Sequence, residues 1–289
     1  MKLQASPAMA FSAIRRPQQV ASPSIAAHDS VRFGSATIKL ATVTAAEIAA
    51  IKANFSGRIF SAIHELGHAF GHLFDGNTIK KIQLHDTGKK IDSLSKVGYI
   101  LTEGAVIELE KEPAIAISSV NAFKNSLHKK SLTLASGPVL TNYIHSLSNN
   151  KFSIEQLLKK EVTPYQFLKY AGGETDHSKL VFFNHLLNNR ISLPKDRFGT
   201  KIQKFFKRFF SNIRAWINPH KEHATIIQWI RQSHELMKTV PEEGLFRLAK
   251  TLEQHGTIEG HDTIERLVKE ALGKDYDTLQ KQFNTLVAS

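Results

Sequence analysis

His64, Glu65 and His68 stand in the pattern H-E-x-x-H, inside a longer apolar run from Ile59 to Phe74. If that run is a helix, residues four apart point the same way, so His64 and His68 present two imidazoles to one point in space. Two zinc ligands need that arrangement. Glu65 lies roughly 100° round the helix axis from His64. From there it reaches a water on the metal without binding the ion. A carboxylate so placed takes a proton from that water and returns it to a leaving amine. The chemistry expected is hydrolysis of a peptide bond, with Zn2+ as cofactor and Glu65 as general base. The plain alternative is a buried helix whose histidines are merely satisfied by hydrogen bonds.

A catalytic zinc site takes a third protein ligand. The longer pattern H-E-x-x-H-x-x-G-x-x-H holds through Gly71 and fails at its last position, which is Phe74. His72 lies one turn beyond His68, but a straight helix cannot bring i, i+4 and i+8 onto one tetrahedral ion. His72 is therefore expected to be packed beside the site. Asp176 is the preferred third ligand, because it follows Gly172 and Gly173 at a helix start, where a carboxylate is readily held. Glu103, in Thr102-Glu103-Gly104-Ala105, is the alternative, and His177 is a further substitute.

The elements that must position these residues follow from capping and turn signals. Thr44 with Glu47 makes a capping box, so a helix starts there and ends near Ser56-Gly57. The H-E-x-x-H helix covers about 58–74 and stops at the turn Asp75-Gly76-Asn77. Residues 78–84 and 96–102 read as strands, the second a candidate edge for aligning an extended peptide. Helices are expected from Pro113 to about 130 and over 131–148, with Gly137-Pro138 interrupting or kinking the latter. Ser153 caps a helix, Thr163-Pro164 starts another, and Gly172-Gly173 precedes one reaching about 189. Beyond Pro194 the pattern is helical, over about 195–217, 222–238, 241–255 and 261–287. The expected fold is mostly α with a small sheet (α+β). Residues 1–43 form a leader that is disordered or targeting, 44–193 the domain with the site, and 194–289 a helical accessory domain.

The order of these features resembles the peptidase domain of the FtsH-type AAA zinc proteases. Those carry H-E-x-G-H-A, here His64 to Ala69, then a strand with L-G-Y-T, here Val97-Gly98-Tyr99-Ile100. A later G-A-S-N-D whose Asp binds zinc corresponds to the segment ending at Asp176. The chain is also similar to the site-2 proteases and their soluble-looking relatives, which share H-E-x-G-H-A and carry a Gly-Pro segment followed by Asn, here Gly137-Pro138-Val139-Leu140-Thr141-Asn142. The resemblance implies a zincin-like metallopeptidase domain over about 44–193, with His64, His68 and Asp176 as ligands and Glu65 as base. His177 and Tyr99 are candidates for a second oxyanion donor. There is no G-x-x-x-x-G-K-[ST] loop, so no AAA motor lies in this chain.

Composition narrows the classes. With 42% hydrophobic and 22% charged residues, the chain has an ordinary globular balance. The absence of cysteine excludes disulfides, cysteine proteases and thiolate zinc sites at once. No apolar run reaches 18 residues, so no membrane span is expected. Residues 1–43 hold no acidic residue before Asp29 and no sustained apolar segment, which fits an organelle or export signal rather than a secretory one. The compartment stays open. The net charge of +12 favours acidic surfaces.

Residues 201–217 (KIQKFFKRFFSNIRAWI) concentrate that charge on one face of an amphipathic helix, opposite a stripe of Phe, Ile and Trp. Such a helix packs on its neighbours with a solvated basic face, or docks on an anionic membrane surface or a partner protein. No nucleic-acid module is recognisable, so nucleic acid is not an expected partner. Two functions follow. One is a zinc metallopeptidase, an endopeptidase acting on a protein or peptide substrate. The other is a catalytically silent zincin-fold scaffold working through its basic C-terminal helices, which would have no need of Glu65.

Overall fold

The computed structural model describes residues 37–55, 57–84, 105–111, 115, 118–147, 152–188 and 224–288. The strand expected at 96–102, Tyr99, Glu103 and the basic helix at 201–217 lie outside the described residues. Within them the protein is mostly helical with one small antiparallel sheet, as expected. The elements run α1 (Ala45–Ala53), α2 (Gly57–Phe74), β1 (Ile79–Leu84), β2 (Ala105–Leu109), α3 (Val120–Ser146), α4 (Ile154–Leu158), α5 (Pro164–Tyr170), α6 (Glu174–Asn188), α7 (Ala224–Met237), α8 (Glu242–His255), β3 (Thr257–Glu259), α9 (His261–Leu272) and α10 (Asp275–Ala288).

The central helix is α2. Twelve of its eighteen residues are buried, on a wide face that leaves Arg58, Ser61, Glu65 and His72 partly exposed along one side. The buried face is packed by α3, β1, β2, α8 and α10. Glycines set the closest of these contacts. A Cβ on Gly67 would stand 2.5 Å from the Ser136 carbonyl oxygen and 2.7 Å from the Gly137 Cα. One on Gly71 would stand 2.8 Å from the Thr133 Cα. The α2 and α3 backbones therefore meet where α2 carries no side chain, and at Gly67 and Gly137 neither helix does. At the far end of α2, Phe74 packs its ring edge-to-face on Tyr276 of α10, 5.7 Å away.

The caps expected at Thr44, Ser153 and Thr163 are in place, each side chain accepting from the N3 backbone. Helix α3 corrects the expected pair of helices. It starts at its Ser119 cap rather than at Pro113, and runs unbroken through Pro138 to Ser146. Proline costs an interior helix about 3 kcal/mol. Here fourteen buried residues on α3 hold the helix through that penalty.

The sheet has the order β2-β1-β3, both pairs antiparallel. Ile79 and Ile82 are three apart, so a regular strand would point them to opposite faces. A register shift between Ile79 and Lys81 brings both into the core. Neither β2 nor β3 is among the expected strands. The expected helix at 261–287 is two helices, parted at Gly273, whose φ is +56°.

The domain boundary expected near residue 194 lies outside the described residues. The described helices on both sides share one hydrophobic core. β3 adds a C-terminal strand to β1, and α7 packs on α3. The end of the expected leader is also held: Ala41 N–H donates to Thr251 Oγ1 at 2.9 Å, Arg247 Nε–H to the Ala41 carbonyl at 3.1 Å, and Arg266 Nη2–H to the Ile38 carbonyl at 2.7 Å. Among the described residues no helix is long and apolar enough to cross a membrane.

Candidate metal centre

Two elements deliver three ligand atoms to one buried point. His64 and His68 come from α2, one turn apart. Asp176 comes from the first turn of α6. His64 Nε2 and His68 Nε2 stand 3.1 Å apart. Asp176 Oδ2 lies 3.5 Å from the first and 3.4 Å from the second. Ligand atoms 2.0–2.1 Å from a tetrahedral zinc stand about 3.3–3.4 Å from one another. The triangle therefore has the size of one face of such a site. Its ligand atoms form a group able to hold a metal ion, and all three residues are buried.

The outer nitrogen of each ring is fixed by backbone. His64 Nδ1 lies 2.9 Å from the Ala171 carbonyl oxygen, and His68 Nδ1 lies 2.9 Å from that of Thr133. A carbonyl only accepts, so each Nδ1 carries the proton and each Nε2 offers a lone pair inward. This is the orientation that outer hydrogen bonds impose on metal-binding histidines.

The Ala171 carbonyl is available for a local reason. α5 ends in a Schellman motif: Gly173 N–H donates to the Leu168 carbonyl, Gly172 N–H to that of Lys169, and Gly172 takes φ +81°. Such an end leaves late carbonyls without helical donors, and His64 supplies one. Gly173 then caps α6, its carbonyl accepting from His177 N–H. Asp176 falls in the first turn of α6, where the helix dipole favours a carboxylate. One tight corner thus orients His64 through a helix C-terminus and seats Asp176 at a helix N-terminus. Asn142 of α3 ties α5 in place by donating from its amide to the Phe167 carbonyl at 2.7 Å.

On α3, Pro138 has no N–H for the Leu134 carbonyl. The neighbouring Thr133 carbonyl takes His68. Gly137 faces the His68 ring so closely that a Cβ would collide with Nε2, Cε1 and Cδ2, the last two at 2.6 and 2.7 Å.

The electrostatics match three converging acceptors. Burial opposes a charge on His68, yet the Asp176 carboxylate outweighs it and pushes the imidazole up to about 9. Burial also opposes the Asp176 charge, but the two imidazoles hold its carboxyl far below the usual range. Without a metal, the cluster binds a proton in its place. His72 behaves differently. Burial, with the neighbouring His68, Lys130 and Lys179, pushes it down to about 3, and its Nδ1 faces the Asn77 amide at 3.4 Å.

Comparison with protein-family models, with curated proteins and with solved structures found no match.

The structure thus brings together His64, His68 and Asp176. Glu65 remains partly exposed while its neighbours His64 and Leu66 are buried, and its charge acts on His68. His177 is buried with its ring edge-to-face on Tyr165, 5.2 Å away. The Ala171 and Thr133 carbonyls were not foreseen, because backbone acceptors leave no mark in residue identity. In the sequence Gly137 marks a helix irregularity and the start of the Gly-Pro segment, and neither places it against His68. Its signal was a second small residue able to face Gly67.

Proposed function

We propose that this chain is a zinc metallopeptidase that hydrolyses peptide bonds in protein or peptide substrates. One observation carries the reading: His64 Nε2, His68 Nε2 and Asp176 Oδ2 converge at tetrahedral spacing while both Nδ1 atoms are bound outward to carbonyls. When bound, zinc supplies Lewis acidity, which makes water a nucleophile at neutral pH and polarises a carbonyl.

The chain's own groups do the rest. The Ala171 and Thr133 carbonyls hold the imidazoles in the tautomer whose Nε2 atoms face the ion. Asp176 adds the one negative charge among the ligands, leaving a net positive centre. Glu65, partly exposed beside His68, takes the proton from the attacking water and hands it to the leaving amine. His64, His68 and Asp176 would hold the ion as three protein ligands, and the zinc would supply Lewis acidity to a water beside Glu65.

The test is cleavage of a denatured protein substrate by the purified, zinc-loaded full-length chain. Cleavage that stops with a chelator and returns with zinc supports the reading. A zinc-loaded chain that cleaves neither denatured protein nor a peptide library contradicts it and leaves the scaffold role.

A further inference from the structure

We propose that Gly137 and Pro138 are positioning residues of the metal site, joining its two halves through one point on α3. The proposal rests on the metal reading above. Gly137 touches the histidine half: its missing side chain is the space that the His68 ring occupies, against Nε2, Cε1 and Cδ2. Pro138 touches the carboxylate half. A Cβ on Gly173 would meet the Pro138 ring at 2.8 Å (Cβ) and 2.9 Å (Cγ). Gly173 is the corner residue between the Ala171 carbonyl, which orients His64, and α6, which carries Asp176.

Adjacent residues of one buried helix thus set how far α2 and the α5–α6 corner stand from each other. Because α3 runs unbroken from 120 to 146, the two contacts cannot shift independently. The His68 ring is itself held on the same helix, by the Thr133 carbonyl one turn earlier. A methyl group at 137 meets only ring atoms of His68 among its closest contacts. The ring can give way without moving backbone, but it then leaves the Thr133 carbonyl and the Asp176 carboxylate. The fold survives while the ligand geometry does not. Replacing Pro138 by alanine restores a helical N–H and removes the penalty of an interior proline. It keeps the Cβ that abuts Gly173 and removes the Cγ beside it, which loosens the corner, so stability and metal binding move in opposite directions.

The experiment compares full-length wild type, Gly137→Ala, Pro138→Ala and Gly244→Ala. The last places a Cβ against the Ala271 carbonyl between α8 and α9, among residues that hold no ligand. Zinc affinity is measured by competition with a chromophoric chelator. The visible bands of the cobalt-substituted proteins report ligand geometry, and thermal melting of the metal-free proteins reports the fold.

The expected result is a roughly 10-fold or greater loss of zinc affinity in Gly137→Ala, in the range typical for groups that orient ligands, with altered cobalt bands. Pro138→Ala also shows altered bands, in a metal-free protein that melts no lower than wild type. Gly244→Ala melts lower and keeps the wild-type bands. Folded Gly137→Ala with wild-type affinity and bands overturns the proposal, as does an equal change in Gly244→Ala. If Gly137→Ala does not fold, wild-type bands in Pro138→Ala overturn it. A wild type that takes up neither zinc nor cobalt overturns the metal reading, and the positioning role with it.

Discussion

The Nε2 atoms of His64 and His68 face each other 3.1 Å apart while each ring's Nδ1 is committed to a backbone carbonyl. Two inward lone pairs at that distance repel unless a cation lies between them, and the Asp176 carboxylate beside them adds a third acceptor. Buried acceptors without donors are costly. The cluster must therefore hold either a proton or a metal ion, and its size suits the metal.

Glu65→Gln separates binding from catalysis. Glutamine fills the same space but takes no proton. Zinc content is expected to stay at the wild-type level, while peptide hydrolysis falls by roughly 10²–10⁴-fold, the usual contribution of a general base. Unchanged hydrolysis in zinc-loaded Glu65→Gln removes this residue from the mechanism.

The metal-free protein should show the proton-bound alternative in its pH dependence. His68 is pushed from 6.5 up to about 9 in the folded state, so the folded chain holds that proton more tightly than the unfolded one. The stability it contributes is full below about pH 6.5 and is lost as pH rises through about 9. Asp176 is lowered from 3.8, so its contribution is present above about pH 4 and is lost on further acidification. In chelator, the melting temperature contributed by this pair should fall between pH 6.5 and 9, and Asp176→Ala should flatten that fall. An equally steep fall in Asp176→Ala would show that another group is responsible.

Much of this arrangement was legible in the sequence, because its signals are local. The apolar run around His64 is long enough for a mostly buried helix, and Asp75-Gly76-Asn77 ends it. Asp176 was legible because two glycines, one in a left-handed conformation, must precede a helix start. What was not legible depends on partners. Thr257–Glu259 offers one buried apolar residue, Ile258, and becomes a strand only by pairing with β1. Pro138 carries a local signal for interruption that burial of α3 overrides. The carbonyls of Thr133 and Ala171 act through backbone, which every residue shares.

Gly67→Ala should destabilise the fold. Its Cβ would stand 2.5 Å from the Ser136 carbonyl oxygen and 2.7 Å from the Gly137 Cα, both backbone groups that cannot rotate aside. Overpacking of this kind costs about 1–3 kcal/mol. Chemical denaturation of the metal-free variant measures it, and a change smaller than about 0.5 kcal/mol would mean that α2 and α3 separate readily.

Residues 38–41 are fastened to α8 and α9 by Thr251, Arg247 and Arg266. Thr251→Val keeps the shape and removes the acceptor for Ala41 N–H, at a cost of about 1 kcal/mol. Hydrogen exchange at Ala41 should accelerate several-fold, while α2 amides exchange as before. Unchanged exchange at Ala41 would show that this bond does not hold the segment.

His64, His68 and Asp176 together are proposed to hold one zinc ion. Elemental analysis of the purified full-length protein after exposure to zinc tests it most directly, with wild type and Asp176→Ala side by side. About one zinc per chain is expected in wild type, with a clear loss in Asp176→Ala. One zinc in both would contradict the assignment of the third ligand, and none in either would contradict the metal site itself.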